Sequence, residues 1–205
     1  MTRARPMPPD ERRRALIDAT RPLLLLDGPN LSTRRIAEAA GVAEGTIFRV
    51  FDSKDDLIHA CVADAITDDG LDRALSALPP DAGLRATVEE SVRVLGARVA
   101  EIRTLISLLH HQSPPPSPRP RSNDADDDPS KCERPSPDEV RARNIAALAS
   151  AIDPYADELR TSPRLAAVTL FAMVFGANHG STHDPELADA AVIADLLLHG
   201  LAKDA

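Results

Sequence analysis

The stretch of sequence that decides the fold is STRRIAEAAGVAEGTIFRVF, residues 32–51, which is followed by Asp52-Ser53-Lys54. Ser32 is a favoured N-cap residue, because its hydroxyl can accept a hydrogen bond from the free amides at the start of a helix. Gly41 predicts the end of that helix, since glycine readily adopts the positive φ of a tight turn. A second short helix is predicted over residues 44–51. Two short helices joined by such a turn have the geometry of a helix-turn-helix.

Further helices are predicted on both sides of this segment. The spacing of Leu16, Ala19, Leu23 and Leu26 predicts one face of a helix over residues 10–26. Pro22 lies inside it and is expected to kink the axis or displace the helix start. Later helices are predicted over residues 53–67, 84–112 (one helix or two), 137–159, 163–178 and 185–202. The chain is therefore predicted to be all-α.

Composition supports this fold class and excludes several others. Hydrophobic residues make up 43% of the 205-residue chain, but only five residues are aromatic, which favours helices with aliphatic seams over an aromatic-rich β-sandwich. Two cysteines, Cys61 and Cys132, cannot form the disulfide framework of a small secreted domain. No apolar run approaches the roughly 20 residues of a membrane span, and the N-terminus does not look like a signal peptide. A cytoplasmic protein without a membrane partner is predicted.

At this point the sequence resembles the TetR family of transcriptional regulators. Two patterns carry the resemblance: Thr33-x-x-Ile36-Ala37-x-x-Ala40-Gly41-Val42, then Gly45-Thr46-Ile47-Phe48-x-x-Phe51-x-Ser53-Lys54-x-x-Leu57. The resemblance implies a DNA-binding domain at residues 10–57, after a flexible basic arm at residues 1–9. It also implies a helical effector-binding and dimerisation domain at residues 58–205. Such a protein would be a homodimeric repressor that a small-molecule effector releases from a palindromic operator.

Within the C-terminal domain, a disordered loop is predicted at about residues 113–137. This segment holds eight of the eighteen prolines and the acidic run Asp126-Asp127-Asp128, with almost nothing apolar. Such a composition cannot bury enough apolar surface to order itself.

The resemblance also implies which residues contact DNA. Thr33 and Lys54 stand at helix starts, where backbone amides favour phosphate. Arg34 and Arg49 are the first candidates for reading bases, because arginine can bind guanine O6 and N7 together. The predicted contact set is Thr33, Arg34, Arg35, Glu44, Gly45, Thr46, Phe48, Arg49 and Lys54.

Three residues depart from the pattern of the family. Phe48 and Val50 stand where tyrosine and histidine often contact phosphates, and Ala43 replaces a polar N-cap. DNA binding is then expected to depend more on other basic residues, namely Lys54, Arg35, Arg3, Arg5, Arg12, Arg13 and Arg14. Phe48 and Phe51 are themselves interpreted as core side chains more than as contacts.

The last two predicted helices are apolar on more than one face, so one side is expected to pack within the subunit and the other on a second copy. The predicted dimer residues are Leu165, Val168, Met173, Leu187, Ile193, Leu197 and Leu201. The predicted effector cavity is lined by Val92, Leu95, Ile106, Leu148, Phe171 and Phe175. Because few of the chain's residues are aromatic, an aliphatic pocket and an apolar effector are expected.

No motif for catalysis, a cofactor or a metal is recognised. His179 and His183 flank helix-poor residues, and the neighbours His110 and His111 point to different sides of a helix, so a metal site is not expected. No glycine-rich phosphate loop or nucleophile elbow is present. Two alternatives remain open: a helical-bundle enzyme or ligand carrier with a vestigial helix-turn-helix, and a DNA-binding regulator without an effector.

The charge is divided unevenly along the chain. Its net value of −8 at first argues against a basic nucleic-acid coat. Residues 1–54, however, hold ten Lys and Arg against seven Asp and Glu, whereas residues 55–205 hold fourteen against twenty-five. This asymmetry favours an orientation in which the N-terminal end faces the phosphates of DNA.

Overall fold

The computed structural model describes residues 8–79, 81–112, 135–178, 187 and 189–201. The elements in this part of the chain are helices, which confirms the predicted all-α class. The α-helices are α1 (Pro9–Asp27), α2 (Thr33–Ala40), α3 (Lys54–Thr67), α4 (Gly70–Ser76), α5 (Leu84–Gln112), α6 (Pro137–Ile152), α7 (Pro163–Ala177) and α8 (Ala190–Leu201). Three 3-10 helices span Gly28–Asn30, Glu44–Arg49 and Asp153–Glu158. None of the described helices is long and apolar enough to cross a membrane.

Several helix boundaries differ from those predicted. The segment after the turn is a 3-10 helix that ends at Arg49. Its N-cap residue is Ala43, whose side chain makes no capping hydrogen bond. The helix predicted over residues 137–159 stops at Ile152, and a 3-10 helix with Pro154 in its first turn continues the chain. Pro154 has no amide proton, so it cannot extend the α-helical hydrogen bonds. Pro22 does not displace the start of α1, which begins at Pro9.

Other predictions fall outside the described residues. These are the arm up to residue 7, residues 113–134 of the predicted loop, and the start of the last helix at Pro185.

The contacts divide the described chain into two compact units. The first comprises residues 8–66 and 101–112, and the second comprises the remaining described residues from 67 onward. The division falls later than the predicted domain boundary at residue 57, because Ile58, Cys61 and Ala65 of α3 are buried in the core of the first unit. α5 runs without a break through both units.

The core of the first unit joins α1, α2, the 3-10 helix Glu44–Arg49, α3 and the last part of α5. Its fully buried side chains include Leu16, Leu24, Ile36, Ile47, Leu57 and Leu105. The inward face of α1 follows Leu16, Thr20 and Leu24. Leu26, which the spacing also predicted on this face, is 76% exposed because the four-residue repeat from Leu16 points it outward.

The core of the second unit is aliphatic, as the composition predicts. It is formed by side chains from α4, the first part of α5, α6, α7 and α8, including Leu71, Val92, Leu95, Leu148, Leu170 and Ile193. Ser136 caps α6 in a capping box with Glu139, and the Ser162 hydroxyl accepts from the Leu165 amide at the start of α7. Each of these helices then begins at a proline. Proline is tolerated there because its missing amide proton is not needed in the first turn.

Candidate nucleic-acid interface

The turn that joins α2 to the 3-10 helix Glu44–Arg49 is closed by local hydrogen bonds. The Ser32 hydroxyl accepts from the Arg35 amide at 3.3 Å, which confirms the predicted N-cap. Gly41 has φ 66°, and the Val42 amide donates to the Ala37 carbonyl at 3.0 Å. A Cβ at Gly41 would meet nothing within 4 Å, so the backbone conformation alone favours glycine there.

Buried side chains fix the 3-10 helix against α2 and α1. Ile36 and Ile47 are fully buried and Ala37 is 3% exposed. Phe51 is 4% exposed, which confirms it as a core residue, and the guanidinium of Arg13 lies 4.4 Å from the centre of its ring. This contact has the geometry of a cation–π interaction. The outward side chains of residues 44–49 are therefore carried on a packed base.

Polar and basic side chains form the outward face of this helix pair. Arg34, Glu44, Gly45 and Arg49 are exposed, and Thr33 and Thr46 are half-buried. The Thr33 hydroxyl donates to Oε1 of Glu44, joining the two elements. We define this surface as the reading face: Thr33, Arg34, Glu44, Gly45, Thr46, Phe48 and Arg49.

Two of the arginines predicted to contact DNA have acidic partners in the free protein. Arg34 Nε lies 3.0 Å from Glu38 Oε1, and this hydrogen bond raises the pKa of the guanidinium. The pair is solvent-exposed, so separating it costs little free energy. Arg35 Nη1 lies 2.9 Å from Asp27 Oδ2, although that oxygen has no partner of good hydrogen-bond geometry.

Lys54 lies at the first residue of α3 and is oriented by the backbone of the loop before α2. Its Nζ donates to the Pro29 carbonyl at 3.2 Å. The Ser53 hydroxyl accepts from the Asp56 amide at 3.1 Å, which caps the helix as predicted. Because a carbonyl does not neutralise an ammonium group, the charge of Lys54 remains available to an anion at this helix start.

Phe48 does not lie in the core. Its side chain is 52% exposed, whereas that of the preceding residue, Ile47, is fully buried. Neighbouring residues of a 3-10 helix point about 120° apart, so the inward position of Ile47 turns Phe48 outward. The interpretation of Phe48 as a core side chain is therefore wrong, and it belongs to the reading face.

Of the N-terminal arginines predicted to support DNA binding, Arg13 and Arg14 make contacts within the first unit. Arg3 and Arg5 lie outside the described residues. Arg13 covers the ring of Phe51, and Arg14 pairs with Asp18 at 3.0 Å within α1. Arg13 and Arg14 thus belong to the folded first unit rather than to an arm.

The residues predicted to line an effector cavity are only partly brought together. Val92, Leu95 and Leu148 are buried in the core of the second unit, with Phe171 packed against them. Phe175 is 50% exposed and stacks on Phe171, with ring centres 5.4 Å apart. Ile106 is 36% exposed and belongs to the first unit. Ile106 therefore does not share a core with the predicted cavity residues of the second unit. It follows residue 100 of α5, where the second unit ends.

A cavity of about 190 Å³ lies elsewhere in the second unit. It is lined by parts of α4, α5, α6 and the 3-10 helix Asp153–Glu158, and by none of the six predicted residues. The polar residues Asp72, Thr87 and Tyr155 are in its wall. The sequence carries a weak signal for Thr87, because Thr87 and Ser91 are polar residues four positions apart on one face of α5 and both are buried.

The predicted dimer residues also divide into two groups. Ile193 and Leu197 are each 3% exposed because they pack inside their own unit, which corrects their assignment to a subunit interface. Leu165 is 54% exposed, and Val168, Met173 and Leu187 are half-buried. The side chain of Leu201 lies outside the described residues. The most exposed large apolar side chains of α7 and α8 are those of Leu165, Phe175, Val192 and Leu196.

The histidines and cysteines are the remaining candidates for metal or redox chemistry. No three His, Cys, Asp or Glu side chains of the described part come together as a metal site. His179, His183 and Cys132, together with the side chains of His110 and His111, lie outside it. Cys61 is fully buried, and this burial raises the pKa of its thiol to about 12. A buried thiol of this pKa is protonated near neutral pH and is a poor nucleophile.

Comparison with known proteins identifies the helix-turn-helix. Residues 16–61 match the family model of the bacterial regulatory proteins of the tetR family. A protein from Mesorhizobium loti assigned to the TetR-family transcriptional regulators is 21% identical, with a TM-score of 0.55 over 97% of this chain and 100% of that chain. A TetR transcriptional regulator from Streptomyces coelicolor is 24% identical, with a TM-score of 0.53 over 94% and 99%.

A third structure, described as the molecular basis for control of antibiotic production by a bacterial hormone, is 20% identical, with a TM-score of 0.57 over 94% and 98%. At these identities the three structures show a shared fold, and that fold extends over nearly the whole chain. The family match covers most of α1, all of α2, the 3-10 helix Glu44–Arg49 and the first half of α3. Residues 16–61 therefore match the helix-turn-helix of the tetR family of bacterial regulatory proteins, and the chain as a whole shares its fold with the three TetR-like structures.

Proposed function

We propose that this protein is a homodimeric repressor that binds a palindromic DNA operator and leaves it when a small molecule binds the second unit. The observation that carries the proposal is the reading face: outward polar and basic side chains stand on a base formed by Ile36, Ile47 and Phe51, which are at most 4% exposed. A rigid base holds the outward side chains in one register, as reading base edges requires.

On DNA, the residues divide into two roles. Arg34 and Arg49 meet guanine edges in the major groove, where each bidentate contact is worth about 1–3 kcal/mol of discrimination. Thr33 and Lys54 lie at the first residues of α2 and α3 and bind phosphates together with the free amides there. Arg34 exchanges its exposed partner Glu38 for the base.

Dimerisation gives the operator its symmetry. The exposed apolar side chains of α7 and α8 are suited to pack on the same surface of a second copy, because a two-fold interface is self-complementary. Two helix-turn-helix units related by this axis read half-sites about 34–36 Å apart, one turn of DNA.

Release from DNA requires that a ligand bind one conformation of the protein more tightly than the other. One of the structures with this fold is described in terms of control by a bacterial hormone, which supports a small-molecule effector. α5 contributes side chains to the cores of both units.

The test is to select bound fragments from a library of the source genome with the purified protein. We expect one palindromic sequence, and we expect Arg49→Ala to reduce affinity for it by more than tenfold, about 1.4 kcal/mol, while binding to random DNA changes little. Arg73→Ala is the control, since Arg73 is exposed and lies in the second unit. Recovery of random fragments alone, or equal losses in both variants, would refute the proposal.

A further inference from the structure

The cavity of about 190 Å³ in the second unit is an open cleft, because residues of its wall such as Asp72, Ser76 and Pro79 are exposed. Its wall includes apolar side chains from two helices, Leu75 of α4 and Ala147 of α6. Tyr155, on the 3-10 helix Asp153–Glu158, accepts a hydrogen bond at its hydroxyl from the Gly83 amide at 3.1 Å. This bond ties the wall to the residue before α5.

Thr87 contributes a hydroxyl group to the wall. Thr87 is 2% exposed, and its hydroxyl donates no hydrogen bond to any residue that the structure describes. The other buried hydroxyls of the described chain behave differently: Thr20 donates to the Leu16 carbonyl at 2.6 Å, and Ser91 donates to the Thr87 carbonyl at 2.7 Å. Because Thr87 lines the cavity, its hydroxyl is available to a hydrogen-bonding group of a ligand there.

The charge of the wall selects among ligands. Asp72, whose side chain is exposed, is the one charged residue among the described residues of the wall, and it has no ion pair with them. A carboxylate beside an apolar cleft attracts a cation and repels an anion. The cavity therefore favours ammonium groups over carboxylates.

The volume sets the size of the ligand. A protein cavity of about 150 Å³ accommodates benzene, and this cavity is somewhat larger. A molecule with one ring or a short branched chain, plus two polar groups, has the matching size.

We propose that this cavity is the effector site, and that it binds a small amine that also carries a hydroxyl or carbonyl group. Thr87 hydrogen-bonds the hydroxyl or carbonyl, Asp72 pairs with the ammonium, and Leu75 and Ala147 cover the apolar part. The assignment of effector function rests on the proposed repressor, whereas binding to the cavity does not. It also replaces the aliphatic pocket and apolar effector expected from composition.

Three probes of nearly equal shape test the proposal on the full chain: tyramine, a cation; tyrosol, which is neutral; and 4-hydroxyphenylacetate, an anion. Dissociation constants are measured by titration calorimetry or NMR without DNA. We expect tyramine to bind more tightly than tyrosol and 4-hydroxyphenylacetate to bind least. Thr87→Val, which keeps the side-chain shape, should weaken tyramine binding about fivefold, and Asp72→Asn, at an exposed carboxylate, about threefold.

Thr169→Val is the matched control, because the Thr169 hydroxyl already donates to the Leu165 carbonyl at 2.9 Å and lies on α7. It should leave tyramine binding unchanged. Thr87→Val should also unfold at the same denaturant concentration as the parent or at a higher one, since the hydroxyl that it loses has no described partner. Absence of binding by all three probes, or equal binding by all variants, would overturn the site.

The regulatory role is measured separately, by the affinity for the selected operator with and without tyramine. If tyramine binds the cavity but operator affinity does not change, the effector role is refuted and the site remains. If no operator is found at all, the proposed repressor fails independently of the cavity.

Discussion

Arg98 of α5 and Asp68, which lies between α3 and α4, form an ion pair that is almost closed to solvent. The side chains are 8% and 17% exposed. Arg98 Nη2 also donates to the Asp68 carbonyl at 2.7 Å, and the Gly70 amide donates to Asp68 Oδ1 at 3.0 Å. Arg143 of α6 donates to the Thr67 carbonyl at 2.7 Å. Thr67 and Asp68 are thus held by side chains of α5 and α6 within the second unit.

Neutralising Asp68 should be costly. Asp68→Asn leaves the guanidinium of Arg98 buried without a counter-charge, and we expect the free energy of unfolding to fall by about 3 kcal/mol. Asp69→Asn is the control: Asp69 pairs with Arg73 at 2.7 Å but is 68% exposed, so about 0.5 kcal/mol or less is expected. Urea denaturation measures the free energy of unfolding of both variants. Similar decreases in the two would contradict a special role for the buried Arg98–Asp68 pair.

Lys54 is expected to act on phosphate rather than on stability. Lys54→Gln keeps a donor for the Pro29 carbonyl and removes the charge. The slope of log affinity against log salt concentration should become shallower by about 1, on specific and random DNA alike. Arg164→Gln, an exposed change on α7, should leave the slope as it is. An unchanged slope for Lys54→Gln would show that this side chain does not neutralise a phosphate.

Phe48 and Phe51 should respond in opposite ways to truncation. Phe48→Ala should change the free energy of unfolding by less than about 0.5 kcal/mol, because the ring is half exposed. It should weaken operator binding, since a phenyl ring can contact thymine methyl groups. Phe51→Ala should cost about 3 kcal/mol or more of stability. A large stability loss in Phe48→Ala would place its ring in the core after all.

Cys61 should make the fold sensitive to alkali. Burial raises the pKa of its thiol from 9.0 to about 12, so between these values the folded chain holds a proton that the unfolded chain has lost. The free energy of unfolding then decreases as pH rises, by about 1.4 kcal/mol per pH unit at most. In a Cys132→Ser background, Cys61→Ala should reduce this decrease between about pH 8 and pH 10. If the free energy of unfolding depended on pH in the same way with and without Cys61, the buried thiol would not be the cause of the decrease.

The exposed apolar side chains of α7 and α8 should determine the oligomeric state. Phe175→Asp and Leu196→Asp, at side chains that are 50% and 53% exposed, should each shift the protein from dimer toward monomer. A buried unpaired carboxylate is incompatible with an apolar interface. Leu26→Asp is the control, since Leu26 is 76% exposed in the first unit. Sedimentation or light scattering measures the mass, and a monomeric parent protein would refute the proposed dimer.

The sequence by itself determined the elements whose signals are local. Ser32 and Gly41 mark the ends of α2, because capping and positive φ depend on nearby backbone groups. The pattern from Thr33 to Leu57 predicted the match of residues 16–61 to the tetR family model, and the aliphatic composition predicted the all-α class. Each of these signals is complete within a short stretch of chain, so no tertiary contact is needed to recognise it.

Only the tertiary structure decided which faces are buried and which residues meet. It turned Phe48 outward beside the buried Ile47, and it placed Ile193 and Leu197 inside their own unit. It also assigned Ile106 to the first unit and left the Thr87 hydroxyl in a cavity wall. An amphipathic pattern shows that a side chain prefers burial, but not against which partner. Burial is a property of packing between elements distant in sequence, and the local pattern does not contain that information.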